Sequence, residues 1–426
     1  MTDRVPMTQL EVPDYDLGIR GKLVRAKKTH DPTGLAMCTI LYGLSVTDEV
    51  TDTPFSNAEN GYPDALLVPD ESTRIALPWR AGTDAVIADL VGADGHPVDM
   101  SPRHAVQSLL RRYGALDLQP VLGFEYELWL FHESTGGDEP RRPFGGTENA
   151  YSLTRSAEAA HLATDFINRM DSVGIPVGMF HAELGPGFFE FTLEPAPALQ
   201  ATDNAVRARQ YLRDLCAERG LHASFMAKPF ADKSGAGGHV HSSLARNGVN
   251  VFSDAGRKLS QEGRHYVAGL LAGMADTIAL LNPYVNSYKR IDPEMFTPAV
   301  ASWGHDDRST ACRVILTDTA AARVEHRRPG ADASPYLVTV ALLAAGLYGL
   351  TERLNLPAPG EETATLPADL HSAITLFEDA DWVAELLSKP FCSSYAVTRR
   401  AEARRYDKWL QQNITTWELS RHLEHQ

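Results

Sequence analysis

Two glutamates inside one apolar strand give the first sign of chemistry in this sequence. Glu125 and Glu127 lie in GFEYELWLF, where strand alternation places both carboxylates on one face and the aromatic side chains on the other. Carboxylates this close repel each other unless something positive lies between them, which indicates one shared or two adjacent cations. An edge strand with one face in water is the alternative explanation.

More acids surround the turn at residues 185–187 in HAELGPGFFE. Glu183 precedes the turn and Glu190 follows it, so a tight glycine bend lets the two carboxylates converge. Glu194 has the same strand phase as Glu190, and the pattern leaves open which of the two is a ligand. Acids that flank a surface hairpin would give the same pattern.

Two histidines follow a glycine-rich turn in SGAGGHVHSSL. His239 and His241 share one strand face, where one imidazole could bind a metal while the other contacts a phosphate or a nucleotide. Taken singly, each histidine is more often a structural residue, and a glycine-rich turn alone is weak evidence for phosphate binding.

Arginines gather in the last third of a chain whose net charge is −15. Guanidinium groups recognise carboxylates and phosphates through paired hydrogen bonds. A solvated basic face is the alternative, but Arg313 and Arg327 have mainly apolar or strand-forming neighbours. Phosphoryl transfer needs ligands for divalent metals and cationic groups that bind phosphate. The acids and a histidine could bind two metals, and the arginines could bind phosphate and carboxylate. The cluster contains Arg290, Arg308, Arg313 and Arg327.

The elements that must position these side chains follow an α+β pattern. Short strands and turns are predicted up to about Met100, and a helix from Ser101 to Gly114 marks a domain boundary. The Gly/Pro/Arg-rich segment 134–149 lacks apolar periodicity and is expected to be mobile or to cover the substrate. Strands are predicted at 120–131, 181–194, 224–228, 239–244 and 322–326. The strands at 224–228 and 239–244 are expected to be neighbours. Helices are predicted at 264–281, at 338–350, and from Asp203, as the N-terminal cap, to near Gly220.

Composition excludes several classes of protein. With 43% hydrophobic and 22% charged residues the chain can bury a sizeable core, and its negative charge argues against nucleic-acid binding. The four cysteines are far apart, which argues against a zinc site or a disulfide framework. The N-terminus lacks a signal-peptide core, and the longest apolar stretch is shorter than the about 20 residues of a membrane span. We therefore expect a cytoplasmic enzyme that binds neither membranes nor nucleic acids.

Six ordered segments resemble the glutamine synthetase family: GFEYELWLF, HAELGPGFFE, AKPFADKSGAGGHVHSSL, NPYVNSYKRIDP, DDRSTACRVI and RVEHRRPGADASPYL. The resemblance covers roughly residues 15–426. It implies a small β-grasp-like N-terminal domain (1–100) and a catalytic domain (101–426) with a large curved antiparallel sheet and flanking helices. Relatives form two stacked rings with active sites between neighbouring subunits, so a homo-oligomer, specifically a dodecamer, is expected.

The resemblance also implies roles for single residues. Ligands of the metal that binds the glutamate carboxylate are Glu127, Glu183 and Glu190. Ligands of the metal on the ATP phosphates are Glu125, His239 and Glu325. Glutamate is held by Arg290, Arg327 and the backbone at Gly235. The nucleotide side has the phosphate-neutralising Arg308 and Arg313 with His241 and Ser243, and the catalytic residues are Arg308, Arg290 and Arg327.

The implied reaction needs ATP, Mg²⁺ or Mn²⁺, L-glutamate and an amine. The side-chain carboxylate of glutamate attacks the γ-phosphate of ATP to give γ-glutamyl phosphate, and the amine then displaces phosphate. The sequence does not tell magnesium from manganese, because carboxylate and imidazole ligands suit both.

Departures from the family pattern concern the amine. Where ammonia-using bacterial relatives have a glutamate six residues after the matching Arg290, this chain has Phe296, and Glu294 is two residues out of register. Phe188 replaces the amide of a GPGQ turn, and Trp303 stands in SWG, as in relatives that act on organic amines. The absence of this carboxylate disfavours a small hydrated cation, and the added aromatic surface favours burial of an amine with a carbon skeleton. We therefore expect a γ-glutamyl-amine ligase.

Three other functions stay open at this stage. The first is an ammonia-using glutamine synthetase. The second is a catalytically silent relative that acts as a scaffold or sensor, although all six expected metal positions are present. The third is a metal-dependent hydrolase, in which the arginine cluster would have no evident role. The acceptor amine itself is not revealed.

Overall fold

The computed structural model describes residues 5–424 except 17, 32–33, 134–140, 147 and 255–256. Half of the segment that was expected to cover the substrate, 134–149, therefore lies outside the described residues. The fold is mixed helix and sheet, as the sequence predicts. Among the described helices, none combines the length and the apolar composition that a membrane crossing requires. All four cysteines lie in the described part and none forms a disulfide.

The N-terminal region forms a six-stranded sheet within the described residues, in the order β2-β1-β6-β4-β3, with β5 beside β6. Strands β1 and β6 run parallel and the other pairs are antiparallel. Single turns of 3₁₀ helix connect the strands at Ala26–His30, Thr39–Gly43 and Glu71–Thr73. The strands are β1 (Met7–Pro13), β2 (Ile19–Arg25), β3 (Leu35–Cys38), β4 (Asp64–Pro69), β5 (Ile75–Ala76) and β6 (Thr83–Val91).

A ten-stranded curled sheet occupies the rest of the described chain. Its strands are β7 (Gln119–His132), β8 (Val177–Ala182), β9 (Phe188–Leu193), β10 (Ala196–Pro197), β11 (Leu221–Ser224), β12 (Gly238–Arg246), β13 (Val249–Asn250), β15 (Trp303–His305), β16 (Cys312–Ile315) and β17 (Arg323–His326). The order is β15-β16-β17-β12-β7-β9-β8, with β10 and β11 on β7 and β13 on β12. A separate pair joins β14 (Val300–Ala301) and β18 (Ala364–Thr365).

Helices pack on this sheet and around one another. Helix α7 (Pro335–Thr351) is buried except in its last turn and carries an almost unbroken apolar run, as the sequence predicts. It contacts α1, α3, α4 and α5. The helices are α1 (Pro102–Gly114), α2 (Leu153–Asp171), α3 (Ala198–Ala217), α4 (Gln261–Ala272), α5 (Met274–Leu281), α6 (Val285–Tyr288), α7 (Pro335–Thr351), α8 (Leu370–Asp379), α9 (Asp381–Leu387), α10 (Lys389–Gln412) and α11 (Thr416–His422), with a 3₁₀ turn at Pro293–Met295.

The structure corrects four details of the predicted elements. Asp203 does not cap α3 but lies inside it, because the strong helix formers from Ala198 onwards start the helix earlier. The segment 181–194 is a hairpin of β8 and β9 rather than one strand. The helix predicted at 264–281 is divided into α4 and α5 at Gly273. Strands β11 and β12 are not paired with each other, since each pairs with a different part of β7.

A buried arginine joins the N-terminal region to α3. Arg103, on α1, donates hydrogen bonds to Asp70 and Asp89 of the N-terminal region and to Asp203 of α3. Only 1% of its side chain is exposed, so its charge is compensated by these carboxylates rather than by water. One hydrophobic core runs through both regions. The domain boundary at residue 100 stays a prediction.

We predict that Arg103→Met lowers the free energy of unfolding by about 3 kcal/mol, because it leaves Asp203 buried without its ionic partner. Chemical denaturation of the purified protein measures the change. The control is Arg80→Met, which breaks the exposed ion pair with Asp214 and should cost less than about 1 kcal/mol. Equal effects of the two substitutions would contradict a special role for the buried network.

Candidate active site

A cavity of about 930 Å³ opens over β7, β9, β12 and β17. The structure brings nearly all the residues singled out in the sequence to its wall. These are Glu125, Glu127, Glu183, Phe188, Glu190, Gly235, His239, His241, Ser243, Arg290, Phe296, Arg308, Arg313, Glu325 and Arg327. Trp303 is the exception.

The first acidic group is built by strand register. Glu125 on β7 stands opposite His239 on β12, and His241 stands opposite Glu325 on β17. The Nδ1 atom of His239 lies 2.8 Å from Oε1 of Glu125, and Nε2 of His241 lies 3.4 Å from Oε2 of Glu125. Burial alone would raise the pKa of Glu125, but its hydrogen bonds to the two imidazoles outweigh burial and hold this pKa well below its usual range.

The second acidic group lies on the β8–β9 hairpin. His181 Nε2 lies 3.1 Å from Oε1 of Glu190, and His181 Nδ1 lies 3.5 Å from Oε1 of Glu183. Burial, followed by the nearby charges of Glu125 and Glu127, raises the pKa of Glu190 to about 7. Burial and the charge of Glu127 also raise the pKa of Glu183. The same carboxylates raise the pKa of His181 against the effect of burial. Negative charge is thus concentrated here, and a bound cation would compensate it.

The donor atoms of both groups suit divalent metals. Ligand atoms lie within 4.8 Å of one another in two sets among the described residues, one being Glu125, His241 and Glu325 and the other His181, Glu183 and Glu190. Oxygen and imidazole donors fit Mg²⁺ or Mn²⁺. The predicted ligands Glu127 and His239 border these sets. Glu127 accepts a hydrogen bond from the Gly237 amide, so the exact ligand assignment stays a prediction.

Sequence reasoning did not assign a role to His181, although a signal existed. His181 lies in β8 and Glu183 directly follows this strand, two residues on, so alternation predicts that they share one face, just as it does for Glu125 and Glu127. The structure also places the two acids after the turn differently. Glu190 contacts His181, whereas Glu194 is exposed on the cavity wall and belongs to neither set.

Buried arginines stand beside the first acidic group. Arg290 donates to the carbonyl of Arg328, and its Nη2 lies 3.3 Å from Nε2 of His239. Arg327 donates to Oε1 of Glu325 at 2.6 Å. The Nε atoms of Arg290 and Arg327 are buried without a partner, so both side chains retain donors for a ligand carboxylate. A Cβ at Gly235 would lie 2.4 Å from Cγ of Arg290, so only glycine lets this loop approach the guanidinium.

The cavity has further cationic groups around Glu325 and His241. Arg313 donates to Oε2 of Glu325 at 2.9 Å and also pairs with Asp306. Arg308 is exposed on the wall and free to meet a phosphate. Arg323, which sequence reasoning did not single out, donates from Nε to Nδ1 of His241 at 3.1 Å and thereby fixes the orientation of that ring.

The cavity wall also carries exposed apolar side chains; we call this apolar part of the wall the acceptor end. It includes Phe296, which is 57% exposed, whereas Glu294 is not part of the wall. Exposed apolar side chains that the sequence did not indicate join it, namely Tyr151, Met179 and Leu184. Phe188 contributes less surface than expected, because it is 2% exposed and its ring stacks on Trp129 with centroids 4.5 Å apart.

The expectation that Trp303 lines the amine pocket is wrong for this chain. Its side chain is buried, and its indole N–H donates to the Pro357 carbonyl at 3.0 Å. The indole ring therefore packs in the interior beside His305 rather than on the cavity wall.

Comparison with known proteins gives a consistent result. Residues 99–422 match the model of the family "Glutamine synthetase, catalytic domain". The chain is 31% identical to glutamate–isopropylamine ligase of a Pseudomonas species, over 98% of this chain and 94% of that one. It is also 31% identical to gamma-glutamylputrescine synthetase of Escherichia coli, over 98% and 93%. The solved GmaS–ADP complex has a TM-score of 0.85 at 26% identity and covers 99% of this chain and 97% of that chain.

We predict that Glu190→Gln weakens Mn²⁺ binding by at least about tenfold, because it removes a charged donor from the second acidic group. Calorimetric titration of the protein without nucleotide, or the paramagnetic resonance of free Mn²⁺, measures the affinity. Glu194→Gln makes the same chemical change on the same hairpin outside that group and should leave the affinity unchanged. A larger effect of Glu194→Gln would mean that the wrong acid has been assigned.

Proposed function

Because the chain belongs to the glutamine synthetase family, we propose that it joins L-glutamate to an organic amine in an ATP-dependent reaction that yields a γ-glutamyl amide. The apolar wall at the acceptor end is the observation that supports an organic amine, rather than ammonium, as the acceptor. Phe296 stands there at the position where ammonia-using relatives are expected to have a glutamate. Tyr151, Met179 and Leu184 extend that apolar surface beside the second acidic group.

The first step needs two anions side by side. Arg290 and Arg327, with their unpaired Nε donors, bind the glutamate substrate, and Arg308 and Arg313 face the phosphates of ATP. An oxygen of the γ-carboxylate attacks the γ-phosphorus, the bond to the bridging oxygen breaks, and ADP leaves. Holding both reactants in one orientation is the main contribution of these residues.

The two acidic groups fit divalent cations. Glu125, His239 or His241, and Glu325 would hold one Mg²⁺ or Mn²⁺, and Glu183, Glu190 and Glu127 or His181 would hold another. Bound there, the metals would neutralise phosphate and carboxylate charge during the transfer. Arg323 keeps the His241 ring oriented, while Ser243 lies on the wall beside it.

The second step uses the acceptor end. The neutral amine nitrogen attacks the γ-carbonyl carbon of γ-glutamyl phosphate and the bond to the phosphate oxygen breaks. The leaving phosphate takes up the proton that the nitrogen loses. Apolar surface at this end stabilises a carbon skeleton by about 25 cal/mol per Å² buried and offers nothing to ammonium. Without a carboxylate at position 296, a small hydrated cation also has less electrostatic attraction to this wall.

We also propose that the protein is a dodecamer in the cytoplasm. Support for assembly comes from large apolar side chains on the C-terminal segment, where Ile414, Trp417 and Leu423 are exposed in the single chain. Support for the location comes from the unpaired cysteines. Light scattering after gel filtration measures the subunit number, and a monomeric mass would contradict the assembly.

The main competing function is an ammonia-using glutamine synthetase. We predict that phosphate release from ATP in the presence of L-glutamate and Mg²⁺ or Mn²⁺ is stimulated most by an organic amine. The panel contains ammonium, methylamine, isopropylamine, ethanolamine, putrescine and aniline, and mass spectrometry confirms the γ-glutamyl amide. Stimulation by ammonium alone would make this a glutamine synthetase, and no release with any acceptor would favour a silent relative.

We predict that Phe296→Glu shifts the ratio of kcat/KM for ammonium to kcat/KM for the preferred organic amine by at least about tenfold towards ammonium. The introduced carboxylate attracts a small cation and removes apolar contact. Phe296→Gln is the matched control, because it has the same shape and the same left-handed backbone (φ 57°) but no charge. An equal shift in both variants would show that the charge at this position is irrelevant.

A further inference from the structure

A buried arginine lies directly behind the acceptor end. Arg155, in the first turn of α2, is 2% exposed; its guanidinium lies 5.6 Å from the centroid of the Phe189 ring, and its hydrogen bonds go to backbone carbonyls. It donates to the carbonyl oxygens of Asn149 at 2.9 Å and Phe188 at 3.1 Å, and also to those of Glu183 and Gly185. In the described part of the chain it forms no ion pair with a carboxylate.

Three of these carbonyls belong to the turn between β8 and β9. Within the turn, the amide of Glu183 donates to the carbonyl of Phe188 at 2.8 Å, and the amide of Phe188 donates to Gly185 at 3.1 Å. The guanidinium is a second donor to the carbonyls of Gly185 and Phe188 and also donates to that of Glu183. A single side chain with several N–H groups therefore holds three carbonyls of the turn together and stabilises this conformation.

The turn is confined on its far side by β7. A Cβ at Gly185 (φ 142°) would lie 2.8 Å from the Trp129 ring, and a Cβ at Gly187 (φ 76°) would lie 2.5 Å from the carbonyl oxygen of Leu130. The backbone is therefore held between β7 and Arg155 with no free space. The position of this turn fixes the position of the Glu183 carboxylate and of Leu184.

The fourth carbonyl belongs to a different wall of the cavity. Asn149 precedes Tyr151, whose amide donates to the Ala182 carbonyl at 2.9 Å and whose ring lies on the wall 5.1 Å from that of His181. Arg155 thus ties the segment that carries Tyr151 to the turn that carries Glu183. The two sides of the acceptor end meet at one guanidinium.

We infer that Arg155 is a positioning residue, which sets the distance between the Tyr151 wall and the Glu183–Phe188 turn and so determines amine binding and the second acidic group. This inference rests on the proposed function for its substrate. Lysine cannot replace the arginine, because an ammonium is a point charge whereas the planar fork reaches four carbonyls at once.

The test compares Arg155→Lys with Arg169→Lys, which makes the same change on the same helix at an arginine that pairs with Glu218. In Arg155→Lys we expect KM for the preferred amine to rise by about tenfold or more and Mn²⁺ affinity to fall by about tenfold, while KM for ATP stays within about twofold. Arg169→Lys should change none of these. A uniform loss of kcat with unchanged amine KM and unchanged Mn²⁺ affinity would overturn the inference.

Gly185→Ala gives a second test, since its methyl group pushes the turn away from Trp129 while residue 155 stays arginine. The same pattern of raised amine KM and weakened Mn²⁺ binding is expected, and normal values for both would contradict the role of the turn. Mn²⁺ affinity is measured without substrates. If the unmodified protein turned over no amine, the proposed function would fail, while the Mn²⁺ comparison would still decide the role of Arg155.

Discussion

The structure depends above all on a register that places like charges opposite one another. Glu127 on β7 and Glu190 on β9 are direct cross-strand partners, an arrangement that is destabilising in an ordinary sheet. The neighbouring strands add compensation, since His181 faces Glu190, His239 faces Glu125 and Arg313 faces Glu325. A single residue of slip would turn all these groups to the other face. The unusual pairing is therefore a direct physical argument for bound cations, independent of any family likeness.

Rigid elements keep that register in place. β7 runs through the middle of the sheet, and its other face carries Phe124, Tyr126 and Leu128 in the core. Behind the sheet, α3 brings Arg207 to the buried Glu11 and Asp203 to Arg103, so the N-terminal sheet is fixed to the elements that build the site. A catalytic group needs supporting side chains that cannot move, and here the support reaches across both sheets.

What the sequence predicted well was local. Alternation placed Glu125 with Glu127 and His239 with His241, and the apolar run of α7 identified a buried helix, because each pattern lies within one element. Its errors were of two kinds. Asp203 has the residue type of a helix cap, but tertiary pairing with Arg103 uses it inside the helix. Trp303 was judged by its position in a motif, although the direction of its ring depends on packing against a distant loop.

Residues that act through contacts distant in sequence escaped the sequence entirely. Arg155 has no distinctive neighbours in the chain, and its importance appears only when the turn near Gly185 folds onto it. Tyr151 and Met179 likewise reach the cavity from separate segments. These positions form the acceptor end, where a one-dimensional pattern carries the least information.

The division of the site explains why overall similarity cannot identify the amine. The acids and arginines come from paired strands and adjoining buried segments, whose geometry follows from the sheet. The acceptor end is formed by a turn, a helix start and the 3₁₀ segment that ends at Phe296, elements that can change without disturbing the register. Relatives of equal identity are named for amines as different as isopropylamine and putrescine. We therefore expect amine choice to depend on the few side chains of these irregular segments, and on the contacts that hold the segments at a fixed distance from the carboxylates.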